Sequence, residues 1–247
     1  MLHALQTYPY LFSGLLWLGV ALAVVRMLPH SQHRTLMVRL GLIMIPNFLF
    51  SALTEQDYWS PRRLGGWAVG IEDVLCSFNI GVAACLPAMI LFRRRLVFPD
   101  RDVAKMRRIL AIVCLATGSY LVMLALGRSS MATLILTQVL AVALLLVLRP
   151  DLWPLSLSGG AGFLLFYCAT VKLYFWIWPD FVSSWWGPPP LGLLLFGIPV
   201  GEIAWAASYG LFWPLFAGFV FGLRLVRAAD VCGLPAPDLP RSYSAVQ

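Results

Sequence analysis

Apolar residues run along this chain in long blocks separated by short polar stretches, and the blocks reach the roughly 20 residues a helix needs to cross a hydrocarbon core about 30 Å thick. Seven such blocks predict membrane-spanning helices at 8–28, 36–54, 66–92, 109–127, 131–148, 153–178 and 191–223. Between the fourth and fifth lie only Gly127, Arg128, Ser129 and Ser130. An arginine in mid-bilayer is costly, so a turn is expected there. The first block has no basic residues ahead of it and is long enough to be a span, so no cleavable signal is expected.

Composition agrees with this pattern. Of 247 residues, 60% are hydrophobic and 12% charged, mean hydropathy is +0.82, and a soluble domain carries about 25% charge. A soluble enzyme, a disordered chain, a nucleic-acid-binding module and a disulfide-rich domain are all excluded. The net charge of +7 changes meaning once it is placed. Arg26, Arg34, Arg39, Arg93, Arg94, Arg95, Arg101, Lys105, Arg107, Arg108, Arg149, Arg224, Arg227 and Arg241 fall on one side of the spans, while Arg62, Arg63 and Arg128 fall on the other. By the positive-inside rule the N-terminus is outside and the C-terminus cytoplasmic. Contact with anionic lipid is a secondary consequence. The expected fold is therefore all-α and polytopic, one helical domain over 1–227 with a disordered cytoplasmic tail at 228–247.

An internal repeat is also expected. Tyr58-Trp59-Ser60-Pro61-Arg62-Arg63-Leu64-Gly65 resembles Trp185-Trp186-Gly187-Pro188-Pro189-Pro190-Leu191-Gly192, and each runs into a span with an acidic residue. Further on, Glu72-Asp73-Val74-Leu75 lies over Gly201-Glu202-Ile203-Ala204, and Gly81 over Gly210. Same-side entry implies parallel repeats about an axis along the membrane normal, 8–92 against 131–223, with the fourth span as connector. Glu72, Asp73 and Glu202 are then expected to converge in the outer half of the bundle. At 1.5 Å per residue, Glu72 would sit about 10 Å and Glu202 about 16 Å below the starts of their helices.

Carboxyl groups in hydrocarbon mark function by default, and burial favours their neutral form. One acid can then donate a proton while an ionised neighbour accepts one, which suits acid–base chemistry on a membrane-dissolved substrate. Trp67, Phe78, Trp153, Phe166, Tyr167, Tyr174, Phe175, Trp176, Trp205, Tyr209, Phe212 and Trp213 offer π faces to a cation. Trp205 and Tyr209 follow Glu202 by three and seven residues, on its general face of the helix. Trp153, Trp176, Trp178, Trp185 and Trp186, near span ends, read instead as an interfacial aromatic belt.

At these residues the chain resembles a known family. Tyr58-Trp59-Ser60-Pro61 with Gly70-Ile71-Glu72-Asp73-Val74-Leu75, and Gly197-Ile198-Pro199-Val200-Gly201-Glu202-Ile203-Ala204-Trp205 with Gly210-Leu211-Phe212-Trp213-Pro214, look like the integral-membrane lycopene cyclase domain of bacterial heterodimeric and fungal bifunctional carotenoid enzymes. The likeness runs from the second span to the seventh and includes the tandem repeat. It implies cyclisation of the end of a linear polyene, or of a prenylated or meroterpenoid substrate, without net redox change and without a cofactor. In that scheme Glu72 or Asp73 protonates an alkene or epoxide, a neighbouring double bond attacks the cation, and Glu202 collects the departing proton. The family's Pro-x-Glu-Glu stands here as Val69-Gly70-Ile71-Glu72-Asp73, without the proline, and as Pro199-Val200-Gly201-Glu202, with glycine in place of one acid.

Other readings were weighed at particular residues. Lys172 in a seven-span protein raises a retinal Schiff base, but it lies in the sixth span, so snorkelling or pairing with Glu202 is expected. Buried acids also mark transporters and channels, and the missing acid leaves room for a non-catalytic subunit. Gly159-Gly160-Ala161-Gly162 within a span reads as helix packing. His30 and His33 lack a third metal ligand and read as a solvated turn, so no metal site is expected. Cys76, Cys85, Cys114 and Cys168 read as packing residues and Cys232 as a free tail thiol. Glu55, Asp57, Arg62 and Arg63 read as a solvated outer loop, with an arginine able to hold a diphosphate or polar head. The expected partners are a lipophilic terpenoid and membrane lipid, without nucleic acid. A homo-oligomer is compatible with all of this.

Overall fold

The computed structural model describes residues 7–55, 57–93, 95–98, 105–125, 127, 129–180, 185 and 193–226. Arg128, Trp186 and the tail with Cys232 lie outside these residues. The chain is mostly helical: α1 Pro9–Met27, α2 Ser31–Met44, α3 Phe48–Thr54, α4 Ile71–Phe92, α5 Lys105–Ala125, α6 Ser130–Leu148, α7 Trp153–Ile177 and α8 Val200–Phe221. Helix forms at each of the seven predicted places, and five helices (α1, α4, α6, α8, and α7 with the 3-10 turn before it) are long and apolar enough to cross a membrane. These five make it a multi-pass membrane protein.

Local chemistry sets the boundaries. Pro46, which has no N–H to give, lies in a 3-10 turn at Ile45–Asn47 and divides the second predicted span into α2 and α3. The fourth and fifth spans separate at Gly127, with φ at 70°, and at Ser129, whose hydroxyl caps α6 by accepting from the Ala132 amide at 3.3 Å. α8 closes on Gly222 in the left-handed region.

Two helix starts differ from expectation. α4 begins at Ile71 rather than 66, because Gly65 and Gly66 take positive φ and the chain stays non-helical through Gly70. α8 begins at Val200 rather than 191. Residues 194–199 form a hairpin, β2 Leu194–Leu195 on β3 Ile198–Pro199, turning on Phe196 and Gly197, both at positive φ. The acids are therefore not buried 10 or 16 Å along their helices. Glu72, Asp73 and Glu202 all occupy first turns, where the helix dipole favours negative charge.

α4 and α8, each of 22 residues, form the centre. The same sequence offset separates Ile71 from Val200 and Phe92 from Phe221, and relates several further pairs. Gly81 packs α4 against α2 at Leu40 and Gly41, while Gly210 packs α8 against α7 at Gly159 and Gly160. Asn79 donates to the Gly14 carbonyl of α1 at 2.9 Å, and Ser208 donates to the Gln138 side chain of α6 at 2.6 Å. Beyond the helices, β1 Leu96–Val97 pairs antiparallel with β4 Arg224–Leu225, Leu96 opposite Leu225. Gly159 and Gly160 do pack helices, as expected of that run, and Gly162 abuts Pro87.

The close approach of α7 and α8 yields a prediction. A Cβ on Gly210 would stand 2.9 Å from the Gly159 carbonyl and 3.0 Å from the Gly160 Cα, both backbone atoms that cannot swing away. Gly210→Ala is expected to cost about 1–3 kcal/mol by overpacking. Gly118→Ala in α5, where a Cβ meets nothing within 4 Å, is expected to be neutral or to gain up to about 1 kcal/mol from helix propensity. Thermal unfolding of the two variants in one detergent checks both signs.

At the end of the bundle remote from the acids, Arg95 donates to the Val226 carbonyl, Arg108 to that of Phe219 and Arg149 to that of Leu223, tying the chain after α4, α5 and α6 to the end of α8. His33 corrects the expectation of a solvated turn. It is buried at 4% exposure with its ring edge-on to Phe98 at 5.2 Å. Burial first, and the charge of His30 second, pull it down to about 4.

Candidate functional site

The loop from α3 to α4 builds one side of the site. Tyr58 and Trp59 amides both bond to the Thr54 carbonyl, at 2.8 and 2.9 Å, and the Ser60 amide bonds to the Trp185 carbonyl at 2.8 Å, which draws the loop over the bundle. The left-handed glycines then turn the chain so that the Leu64 amide donates to Glu72 Oε1 at 2.6 Å. Glu72 Oε2 is buried and has no hydrogen bond among the described residues.

Asp73 is surrounded by donors. Arg63 Nε reaches Oδ2 at 2.7 Å, Arg63 Nη2 reaches Oδ1 at 3.3 Å, the Tyr10 hydroxyl reaches Oδ1 at 3.1 Å, and the Gly70 amide reaches Oδ2 at 2.8 Å. Arg63 Nη1 also holds Glu55 at 3.0 Å. Far from belonging to a solvated loop, Arg63 is 3% exposed. Burial pulls its guanidinium down from its ordinary value, but the hydrogen bond and charge of Asp73, and then Glu55, outweigh this and hold it raised. With two carboxylates on it, Arg63 is the counter-ion of Asp73 and has no charge left over for a diphosphate. Asp57 is likewise engaged, accepting from the Ser130 amide at 2.7 Å and from its hydroxyl, so it caps α6. Asp57 and Arg62 keep the exposure expected of a solvated loop, Arg62 lying 5.9 Å over the Tyr8 ring.

Glu202 lies on the other side, 3% exposed. Tyr167 of α7 donates to its Oε2. The Tyr58 hydroxyl faces the same carboxylate, off the geometry of an ordinary hydrogen bond. Burial, then the charge of Glu202, push that phenol well above its ordinary value. Cys76, one turn into α4, lies within electrostatic range of both Asp73 and Glu202 and beside the Tyr10 hydroxyl.

Aromatic rings enclose this space. Tyr10, Tyr58, Tyr174 and Trp185 share a buried cluster with Met131, Val171 and Ile198, and Trp59, Tyr167 and Trp205 pack against it. Trp185 is 3% exposed and meets Tyr10 and Trp59 edge-on at 5.4 Å each, which removes it from the interfacial belt. Trp153 and Trp176 are 58% and 83% exposed, as a belt position requires. From Glu202 inward, Trp205, Tyr209 and Trp213 stack successively at 5.5 and 5.6 Å, and Trp213 on Phe216 at 4.7 Å. Phe163 and Tyr167 meet Trp205 edge-on.

Among the residues picked from sequence, Asp73, Glu202 and Trp205 border one aromatic cluster, with Tyr209 and Trp213 continuing inward and Glu72 beside Asp73 in the first turn of α4. Trp213 also donates to the Gly81 carbonyl at 2.8 Å, fastening α8 to α4. Phe78 does not join them; it packs at Gly41 of α2. Trp67 is 74% exposed. Lys172 does not serve the interior either, being exposed on α7 with Nζ on the Phe196 carbonyl and 5.1 Å over the Phe175 ring. Missing from the sequence-based set were Arg63, Tyr10, Tyr58 and Cys76, while Tyr167 was expected only as one aromatic face among many. One signal was available for the first: a buried acid needs a cation, and Arg63 precedes Asp73 by ten residues. Compared with protein-family models, with curated proteins and with solved structures, the chain matches none, so its functional reading rests on this geometry and on the sequence pattern.

Proposed function

We propose that this chain is a membrane-embedded, cofactor-independent terpenoid cyclase of the integral-membrane lycopene cyclase type, cyclising a linear polyene end or a prenylated substrate through a carbocation. The observation that carries this reading is that Asp73 and Glu202 each accept from a tyrosine at one buried aromatic cluster, Asp73 from Tyr10 and Glu202 from Tyr167, with Glu72 buried beside Asp73 in the first turn of α4. The ionic contacts divide the roles. Asp73, fixed by Arg63, Tyr10 and Gly70, is a positioning charge that favours a developing cation. Glu72 and Glu202 are the exchangeable pair, one giving the initiating proton and the other taking the final one. Tyr167, Trp205 and Tyr209 pack ring on ring inward of Glu202, and aromatic rings stabilise a cation without supplying a nucleophile.

The architecture that goes with this function is a seven-span bundle of two parallel halves, N-terminus outside and C-terminus cytoplasmic. Supporting it are the matched bounds of α4 and α8, the matched packing of Gly81 and Gly210, the matched bonds of Asn79 and Ser208, and the pairing of Leu96 with Leu225 at the same offset. A two-fold axis along the membrane normal, passing through the β1–β4 ribbon, accounts for all of them.

Expression in a host that accumulates linear polyene, or a farnesylated aromatic precursor, followed by chromatography of extracts, is expected to give a cyclised isomer of unchanged mass. Unaltered substrate in every host would sink the proposal. A proton-path reading has one observation in its favour: Thr133 and Thr137, four residues apart on α6, bury hydroxyls that have no hydrogen-bond partner among the described residues. Proton flux in liposomes without any cyclised product would favour it.

A further inference from the structure

Tyr58 brings to the site a buried hydroxyl whose hydrogen-bonding capacity is unspent among the described residues. Its ring is 2% exposed and packed in the aromatic cluster. Its backbone is held by Thr54, and its hydroxyl makes no hydrogen bond among the described residues. That hydroxyl points at the first turn of α8, in van der Waals range, 3.5 Å, of the position a Cβ on Gly201 would take. A carboxylate-bearing side chain at 201, such as the Glu72 that occupies the corresponding place in the first half, would start in contact with it. Beside it stands Glu202, whose Oε2 already accepts from Tyr167.

A buried phenol without an acceptor is an unsatisfied donor, and a hydrocarbon ligand would leave it so. A ligand hydroxyl fits both neighbours, accepting from Tyr58 while donating to the Glu202 carboxylate. An epoxide oxygen fits the first of these. We propose that Tyr58 is a substrate-contacting, specificity-determining residue, and that the site therefore prefers a terpenoid bearing an oxygen at its bound end over the hydrocarbon of equal length. This rests on the terpenoid reading above, but it concerns binding and involves no covalent step. Sites that present a hydrogen-bonding group to a substrate oxygen discriminate strongly against analogues lacking it.

The test compares farnesol with farnesene at equal mole fraction in nanodiscs holding the full chain, read by quenching of the tryptophan fluorescence that Trp59, Trp185 and Trp205 contribute. Wild type is expected to bind farnesol at least about tenfold more tightly. Tyr58→Phe is expected to erase that preference while leaving farnesene affinity within about twofold, since the ring stays in place. Equal affinity of the wild type for the two ligands, or a preference that survives in Tyr58→Phe, overturns the proposal. If Tyr58→Phe fails to fold, the wild-type comparison decides alone. Turnover is not needed for either measurement. A protein that binds farnesol preferentially yet forms no cyclic product would refute the cyclase reading and leave this inference standing, and the converse outcome separates them equally well.

Discussion

Arg63→Ala is expected to destabilise the protein by about 3–5 kcal/mol, the cost of removing one partner from a buried ion pair. An exposed loop arginine would cost about 0–1 kcal/mol, so the two pictures of this loop differ by a measurable margin. The larger value follows because Asp73 is fully buried and loses two donors at once. Glu55, about a third exposed, loses its partner with less penalty because water can replace the guanidinium. The double variant Arg63→Met with Asp73→Leu is expected to regain most of the loss, since apolar replacement of a whole buried pair is often neutral or better. Thermal unfolding of wild type, both single variants and the double in one detergent gives the coupling between the two residues. A stability change below about 1 kcal/mol for Arg63→Ala would mean the guanidinium is solvated.

The same residue marks where sequence reading ends. Span positions were legible because blocks of apolar residues long enough to cross hydrocarbon have few alternatives. The helix starts were not. Apolarity continues through Leu64 to Ile71 and through Leu193 to Val200, yet backbone conformation at Gly65, Gly66, Phe196 and Gly197 stops the helix short of both. Moving the starts moved the acids from mid-helix to first turns, which changes what holds them: amide donors and the helix dipole as well as neighbouring side chains. Charge placement along the chain put Arg63 on the loop side correctly, but whether a loop folds back over its own helix depends on contacts such as Ser60 to Trp185, which span the whole fold. Trp185 failed for the same reason, because proximity to a span end does not distinguish an interfacial ring from one tucked beneath a loop. Tyr10 sits in a helix that reads only as apolar, and Tyr167 reads as one aromatic face among many; nothing in their spacing singles them out until the acids they face are in place.

Glu202→Gln is expected to lower cyclisation by about 10²–10⁴-fold, the usual contribution of a positioned acid or base, with a change in stability within about 1 kcal/mol. Glutamine keeps the length and an oxygen that can still accept from Tyr167, so the packing around Trp205 survives while the exchangeable proton is lost. Glu72→Gln is expected to behave the same way, because the Leu64 amide needs only an acceptor. Asp73→Asn is expected to do the reverse. It unbalances Arg63, so most of its effect should appear as lost stability, and the activity per folded molecule should fall less than in the other two. Product formed per folded protein and the unfolding midpoint, measured together for the three variants, separate exchangeable acids from a positioning charge. If Asp73→Asn proved the least active per folded molecule, while Glu72→Gln and Glu202→Gln turned over normally, the roles drawn from the ionic contacts would be inverted. If all three cyclised normally, proton transfer by these carboxyls would be wrong altogether. The contrast is sharp because the three acids share burial and helix position. They differ only in what donates to them, and that difference decides which one can let its proton go.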